Sequence, residues 1–224
     1  KTPLFERFGA EAAFSDALNR TVALKGGGAL VIDESHALTA IDVDTGSLHA
    51  SSAARLREKV AYAAADEAID QLALRNIGGH VVIDFPSLKT DAARKRFAAY
   101  LKKTLTELPG ATAASFSKSG LFSFTLPRGE LSLLDHLTEP SASEPVPGRR
   151  FTQAAATRAA IRALEHRLHA APSARFTLFI GADVATCLEA KPQWRARLED
   201  KFGARFKIEL SKRLGERDHD LREQ

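Results

Sequence analysis

Apolar positions along the chain change period several times, and each change marks an element. Residues 4–19 carry Phe8, Phe14 and Leu18 at helical spacing, predicting a short opening helix. Short runs of β-formers follow at 21–24, 29–33 and 38–43, separated by Gly26-Gly27-Gly28 and by Asp33-Glu34-Ser35-His36, which read as turns. Over 53–75, Leu56, Val60, Ala63, Ala64 and Leu72 recur on one helical face, and Gly78-Gly79 stops the helix before a strand at 80–85. Thr90-Asp91 opens a second helix whose Phe97, Leu101, Leu105 and Leu108 share a face until Pro109-Gly110. A hairpin is expected at 111–117 and 121–126, around Lys118-Ser119-Gly120.

The remainder has its own grammar. A helix over 152–170 carries Ile161, Leu164 and Leu168, and a strand follows at 176–180. Helices at 182–190 and 192–202 come next, the second opened by Pro192 near its first turn. Residues 204–210 alternate as a half-buried strand, and the charged last dozen are expected to fray. Between the halves, Pro140-Ser-Ala-Ser-Glu-Pro-Val-Pro-Gly148 is too rich in proline for a helix or a central strand. The expected organisation is an α/β domain over 1–139, a linker over 140–150 and a small α/β domain over 151–224. The fold class is a layered mixed sheet with long helices plus that smaller domain.

Charge sharpens the division. Through Ser143 there are 16 Lys+Arg against 17 Asp+Glu; from Glu144 onward the balance is 16 against 11, so the basic excess sits in the last third. That is the distribution of a part meeting a polyanion, or equally of a solvated helical surface. No apolar run reaches the roughly 18 to 20 residues of a membrane span, and Lys1-Thr2-Pro3-Leu4 does not open a signal peptide. A start at Lys1 is expected of a fragment, a tagged chain or a processed product. The single cysteine, Cys187, excludes an internal disulfide and a Cys-rich zinc site within one chain, and a reducing cytoplasm is the expected home.

The chemistry concentrates on two strand ends. Leu38-Thr-Ala-Ile-Asp42 and His80-Val-Val-Ile-Asp84 are apolar runs closed by aspartate. On neighbouring strands, two such carboxylates can hold a divalent metal over a phosphate, with Mg2+ the natural ion and Mn2+ an alternative. Asp44, two residues beyond Asp42, faces the same side if the strand continues, either as a third ligand or to orient an attacking water. Aspartate also ends strands merely to start turns, and Asp33 is read that way. His36, His49 and His80 lie nearby in sequence as general bases, though His80 reads better as a hydrogen-bonded structural residue. His166 and His169 stand three apart on a helix, more simply surface residues than a metal pair. Trp194, with Arg195 and Arg197, either stacks a base or packs the edge of a small core.

Four segments in order, Gly26–Asp33, Ala37–Asp44, Ala64–Leu72 and Arg75–Phe85, resemble the catalytic half of the RNase E/G family of endoribonucleases. The resemblance covers residues 3–137 and, more faintly, the C-terminal part. It implies a DNase I-like catalytic subdomain, with Asp42 and Asp84 binding a catalytic Mg2+. It further implies cleavage of single-stranded RNA to 5′-phosphate and 3′-hydroxyl ends, in RNA processing or decay. Asp44 stands where the family generally has asparagine, a charge that either tightens the metal or repels the RNA phosphate. Ser87 stands where a second aspartate is usual. Lys118 and Arg128 fall where the family has basic residues, implying RNA contacts. The family's S1 domain and 5′-phosphate sensor have no counterpart in these residues, which implies reduced activity. Its Cys-rich zinc link is replaced by 140–148, so no zinc-mediated oligomer is expected. The alternative is an RNA-binding protein derived from that family with little or no cleavage.

Overall fold

The computed structural model describes residues 7–46, 53–141 and 148–224. The chain divides into two compact units, one over Ala12–Leu134 and one whose body is Asp135–Gln224.

In the first unit, helix α1 (Ala10–Asp16) leads into strands β1 (Thr21–Ala23), β2 (Ala29–Glu34) and β3 (Thr39–Asp44). Helix α2 (Ala53–Leu74), strand β4 (Gly79–Asp84), helix α3 (Asp91–Leu105), and strands β5 (Thr112–Phe116) and β6 (Leu121–Leu126) follow. The strands form one six-stranded sheet in the order β1-β2-β3-β4-β6-β5. Only β3 and β4 are parallel, because α2 carries the chain back across the sheet between them. The predicted helices, strands and hairpin therefore assemble into the layered mixed α/β unit that the periodicity implies.

One face of this sheet is the core. Strict alternation sends Leu30, Ile32, Ile41, Val43, Val81, Ile83, Phe122 and Phe124 inward, under the two long helices. Helix α2 approaches closely because its buried stripe is largely alanine: Ala61, Ala64, Ala65 and Ala68. Helix α3 starts where the Thr90 hydroxyl accepts the Ala93 N–H at 3.1 Å. Its Phe97 is fully buried and meets Tyr62, Phe85 and Phe116 edge-on, at centroid distances of 5.1, 5.0 and 5.7 Å. Phe8, expected to pack, is 75% exposed, and the expected helix is broken by a turn at Phe8 and Gly9 before continuing over Ala10–Asp16. Residues 4–6 of that expected helix lie outside the described residues.

Helix α4 (Leu133–Leu137) spans the boundary between the units. In the second unit, strands β7 (Thr138–Ser141) and β8 (Gly148–Phe151) pair as an antiparallel ribbon. Pro140 is accommodated there because a two-stranded ribbon asks for few donors. Helix α5 (Gln153–Ala170), capped by Thr152, packs Ala160, Leu164 and Leu168 against strand β9 (Phe176–Ile180). Helices α6 (Ala182–Ala190) and α7 (Pro192–Phe202) follow, then a 3₁₀ turn, strand β10 (Phe206–Leu210) and strand β11 (His219–Glu223). The central β9 is parallel to β10 and antiparallel to β11.

The tail does not fray. Its charged residues pair with β9 residue by residue from His219↔Ile180 to Glu223↔Phe176. Just before it, Arg217 bonds Asp183 at 2.7 Å, Glu139 at 2.9 Å and the Phe151 carbonyl at 2.5 Å. Backbone pairing and this clasp outweigh the polar composition. No helix among the described residues is long and apolar enough to cross a membrane.

Candidate active site at the carboxyl edge of the parallel strands

Asp42 and Asp84 are direct register partners across β3 and β4. Parallel neighbours lie about 4.8 Å apart and point partner side chains to the same face. That face is opposite the helices. Burial alternates so that Ile41, Val43 and Ile83 enter the core while Asp42 and Asp84 stand exposed. The hydrophobic period that builds the core thus also places both carboxylates in solvent, side by side. β3 stays extended through Asp44, which is exposed on the same face. One of its carboxylate oxygens accepts the Gly46 N–H at 2.8 Å, which also shapes the turn leaving the strand.

Two turns bracket these carboxylates, and each needs a glycine. On one side, Asp84 is partnered by Leu121 of β6. The Phe85 N–H donates to the Gly120 carbonyl at 3.2 Å. Gly120 has φ +111°, and a Cβ there would press into the Phe85 carbonyl oxygen and lie 3.8 Å from Asp84 Oδ1. Hydroxyls stiffen this turn: Ser117 and Ser119 meet at 2.8 Å, and Ser87 donates to the Ser119 carbonyl at 3.3 Å. Ser87 therefore lies against the turn. On the other side, β2 pairs Ala29 with Asp44. A Cβ on Gly28, φ +88°, would stand 2.6 Å from the Asp44 carbonyl oxygen.

The structure separates the remaining candidates. Lys118 sits at the tip of the β5–β6 turn, at the same end as Asp84. Arg128 lies at the other end of β4, where its guanidinium covers Gly79. Five residue steps of strand separate Gly79 from Asp84, about 17 Å. His80 also begins β4 at that far end, its Nδ1 3.1 Å from the Thr125 hydroxyl. His36 lies in the β2–β3 turn, again away from the carboxylates, and His49 lies outside the described residues. Asp33 lies within β2 rather than in a turn; Arg20 bonds both its oxygens, at 2.5 and 2.7 Å, and holds its carboxyl below the usual range.

In the second unit, His169 meets Phe202 edge-on at 5.0 Å, and burial lowers its pKa. Trp194 packs against that unit's core with the Lys191 ammonium 4.6 Å from its ring centroid. Among the described residues, no group of three or more His, Cys, Asp or Glu stands close enough to hold a metal ion. The arrangement is a pair of carboxylates with a third two residues on, at the end of β3.

Sequence reasoning missed the buried Arg75, whose Nε donates to Gln71 at 2.9 Å and whose guanidinium reaches the Asn19 carbonyl at 2.8 Å. It ties the end of α2 to the loop before β1, and an arginine after a helix gives no local sign of such burial. It also missed the turn packing on which Gly120 and Ser119 act, because Phe85 and Gly120 are distant in sequence.

Comparison with known proteins gives a consistent picture. A family model described as the Ribonuclease E/G family matches residues 1–128. Ribonuclease G of Escherichia coli (strain K12) is 28% identical over 227 residues, covering 99% of this chain and 46% of that protein. Ribonuclease G of Haemophilus influenzae is 35% identical over 136 residues, 58% of this chain and 27% of that one. Ribonuclease E of Synechocystis sp. is 33% identical over 141 residues, 61% of this chain and 21% of that one. The chain spans about half the length of the relatives it matches end to end.

Proposed function

The chain belongs to the ribonuclease E/G family, and on that premise we propose that it carries the centre of a Mg2+-dependent endoribonuclease acting on single-stranded RNA. The observation that carries this reading is the register of Asp42 on Asp84, side by side on the uncovered sheet face. Their chemistry fits a divalent ion. Both donors are hard carboxylate oxygens, both are exposed, and neither has an ion-pair partner among the described residues. Mg2+ usually takes one or two carboxylates and keeps several waters, so a pair suffices.

Asp42 and Asp84 would hold the ion, which when bound supplies Lewis-acid charge against the phosphoryl oxygens of the scissile group. The protein's own contribution is positional. The parallel register fixes the separation of the two carboxylates, and the Gly120 turn fixes the end of β4. Asp44 has one oxygen tied to the Gly46 N–H and stands exposed on the same open face, where its carboxylate can accept a proton from an attacking water. In-line attack on the phosphodiester leaves a 5′-phosphate and a 3′-hydroxyl. Lys118, at the tip of the adjoining turn, supplies a positive charge for the neighbouring phosphate. Arg128 is too far along β4 to share that phosphate.

The competing reading, RNA binding without cleavage, draws on Ser87, whose hydroxyl serves the turn rather than a metal. The test is incubation of an end-labelled single-stranded RNA with the chain, in Mg2+ and in EDTA, followed by analysis of the new ends. Internal cuts bearing 5′-phosphates, dependent on Mg2+, support the endonuclease. RNA that is bound but never cut refutes it and favours the competing reading.

A further inference from the structure

Positive charge at the carboxyl edge is not confined to Lys118. On the opposite flank, Lys25 leads into the Gly26–Gly28 turn, and Lys59 of α2 reaches the same turn. The Lys59 ammonium lies 3.8 Å from where a Cβ on Gly26 would stand. The two come from sequence positions 34 apart and from different layers, yet they converge on one turn. That turn closes against the Asp44 carbonyl, so the pair of ammonium groups is attached to the edge that carries the carboxylates.

Both lysines are exposed, and neither is paired with a carboxylate among the described residues. Three arginines of this unit behave differently: Arg20 is taken up by Asp33, Arg94 by Asp91 and Arg96 by Glu58. Glu58, the residue adjoining Lys59, is therefore already engaged. Asp42, Asp44 and Asp84 would repel a polyanion, and a divalent ion offsets two of those charges. Unpaired ammonium groups on both flanks supply the remaining attraction, each acting as a point charge on a phosphate.

We propose that Lys25 and Lys59 bind backbone phosphates of the RNA, so that the strand crosses the sheet's carboxyl edge from the β1–β2 turn to the β5–β6 turn. Strand order places the carboxylates between the two basic flanks. From β2 to β6 is three strand spacings, about 14 Å, so one strand meets both flanks while its scissile phosphate lies over Asp42 and Asp84. The proposal deepens the endoribonuclease reading and rests on RNA being the ligand of this edge.

The test compares the full chain with the double variant Lys25→Gln/Lys59→Gln and with Lys102→Gln/Lys103→Gln. The second double loses the same charge at the last turn of α3, away from the carboxylates. Affinity for a labelled single-stranded oligonucleotide is measured in EDTA between 50 and 200 mM salt, with Mg2+-dependent cleavage followed in parallel. Each lost phosphate contact lowers the salt slope by about 0.7, so the Lys25/Lys59 double should lose about 1.4. Across that fourfold salt range its affinity then falls about sevenfold less than the wild type's. The Lys102/Lys103 double should keep the wild-type slope. Equal slopes for the two doubles, or an unchanged slope for Lys25/Lys59, overturn the proposal. Cleavage with an unchanged slope refutes this track alone. A reduced slope without any cleavage refutes the endonuclease reading and leaves the track standing, and no RNA binding at all refutes both.

Discussion

Replacing Gly120 with alanine should uncouple the β5–β6 turn from the end of β4. Two costs add. The backbone sits at φ +111°, where an L-residue is strained by about 1 kcal/mol. The added Cβ also collides with the Phe85 carbonyl oxygen, so the turn must retreat and stretch the 3.2 Å bond from Phe85 N–H to Gly120 O. Losing that bond costs about 1 kcal/mol, and the residual overpacking about 1–2 more. Gly27→Ala is the matched control. It has φ +105° but nothing within 4 Å of the new Cβ, so it bears the strain alone. With a slope of about 2 kcal/mol per molar urea, Gly120→Ala should lower the unfolding midpoint by about 1.5–2 M, and Gly27→Ala by about 0.5 M. The assay is urea unfolding followed by circular dichroism. Equal shifts for the two variants would refute the close-approach argument.

Four further outcomes are expected. Arg217→Ala removes the clasp on Asp183, Glu139 and the Phe151 carbonyl, and should cost about 2–3 kcal/mol, read by urea unfolding of the second unit. The Asp183 carboxyl is held below its usual 3.8, chiefly by its bond to Arg217. Its contribution is therefore present above pH 3.8 and lost as pH falls through the lower folded value. Acid unfolding of Asp183→Asn should lack that window. His219 is lowered from 6.5 chiefly by burial, so its folded form resists charging. Stability from a neutral His219 is present above pH 6.5 and lost as pH falls through the lower folded value, so protection factors of the β11 amides, corrected for the intrinsic exchange rate at each pH, should fall on acidification, and less so in His219→Gln. Finally, Lys118→Ala should weaken RNA cleavage at least tenfold in kcat/KM, whereas Arg128→Ala should change it less than threefold, because about 17 Å separates that end of β4 from Asp84.

The layers were legible wherever periodicity was clean. The alternation through Thr39–Asp44 and Gly79–Asp84 marks both the strands and the side on which their aspartates emerge. The helices over Asp91–Leu105 and Gln153–Ala170 announce themselves through Thr90 and Thr152, whose hydroxyls cap them. Non-local pairing was the obscure part. Strand β11 is charged along its length and forms because β9 offers it a ladder, which no window of local sequence contains. The β7–β8 ribbon is hidden by proline for the same reason. Within the site, sequence offered Lys118 and Arg128 alike, since both fall where the family has basic residues. Only the direction of β6 against β4 shows that they occupy opposite ends of the sheet. Lys59 was silent because its meeting with the Gly26 turn joins a helix face to a distant loop.

The central claim is that Asp42 and Asp84 together hold one divalent ion at the carboxyl edge. Titration of Mn2+ into the wild type, Asp42→Asn and Asp84→Asn, read by electron paramagnetic resonance of the free ion, tests it most directly. The account predicts one site per wild-type chain, weakened at least tenfold in each single variant, with Mg2+ competing for it. Undiminished binding in either variant, or no binding to the wild type at millimolar Mn2+, would contradict it.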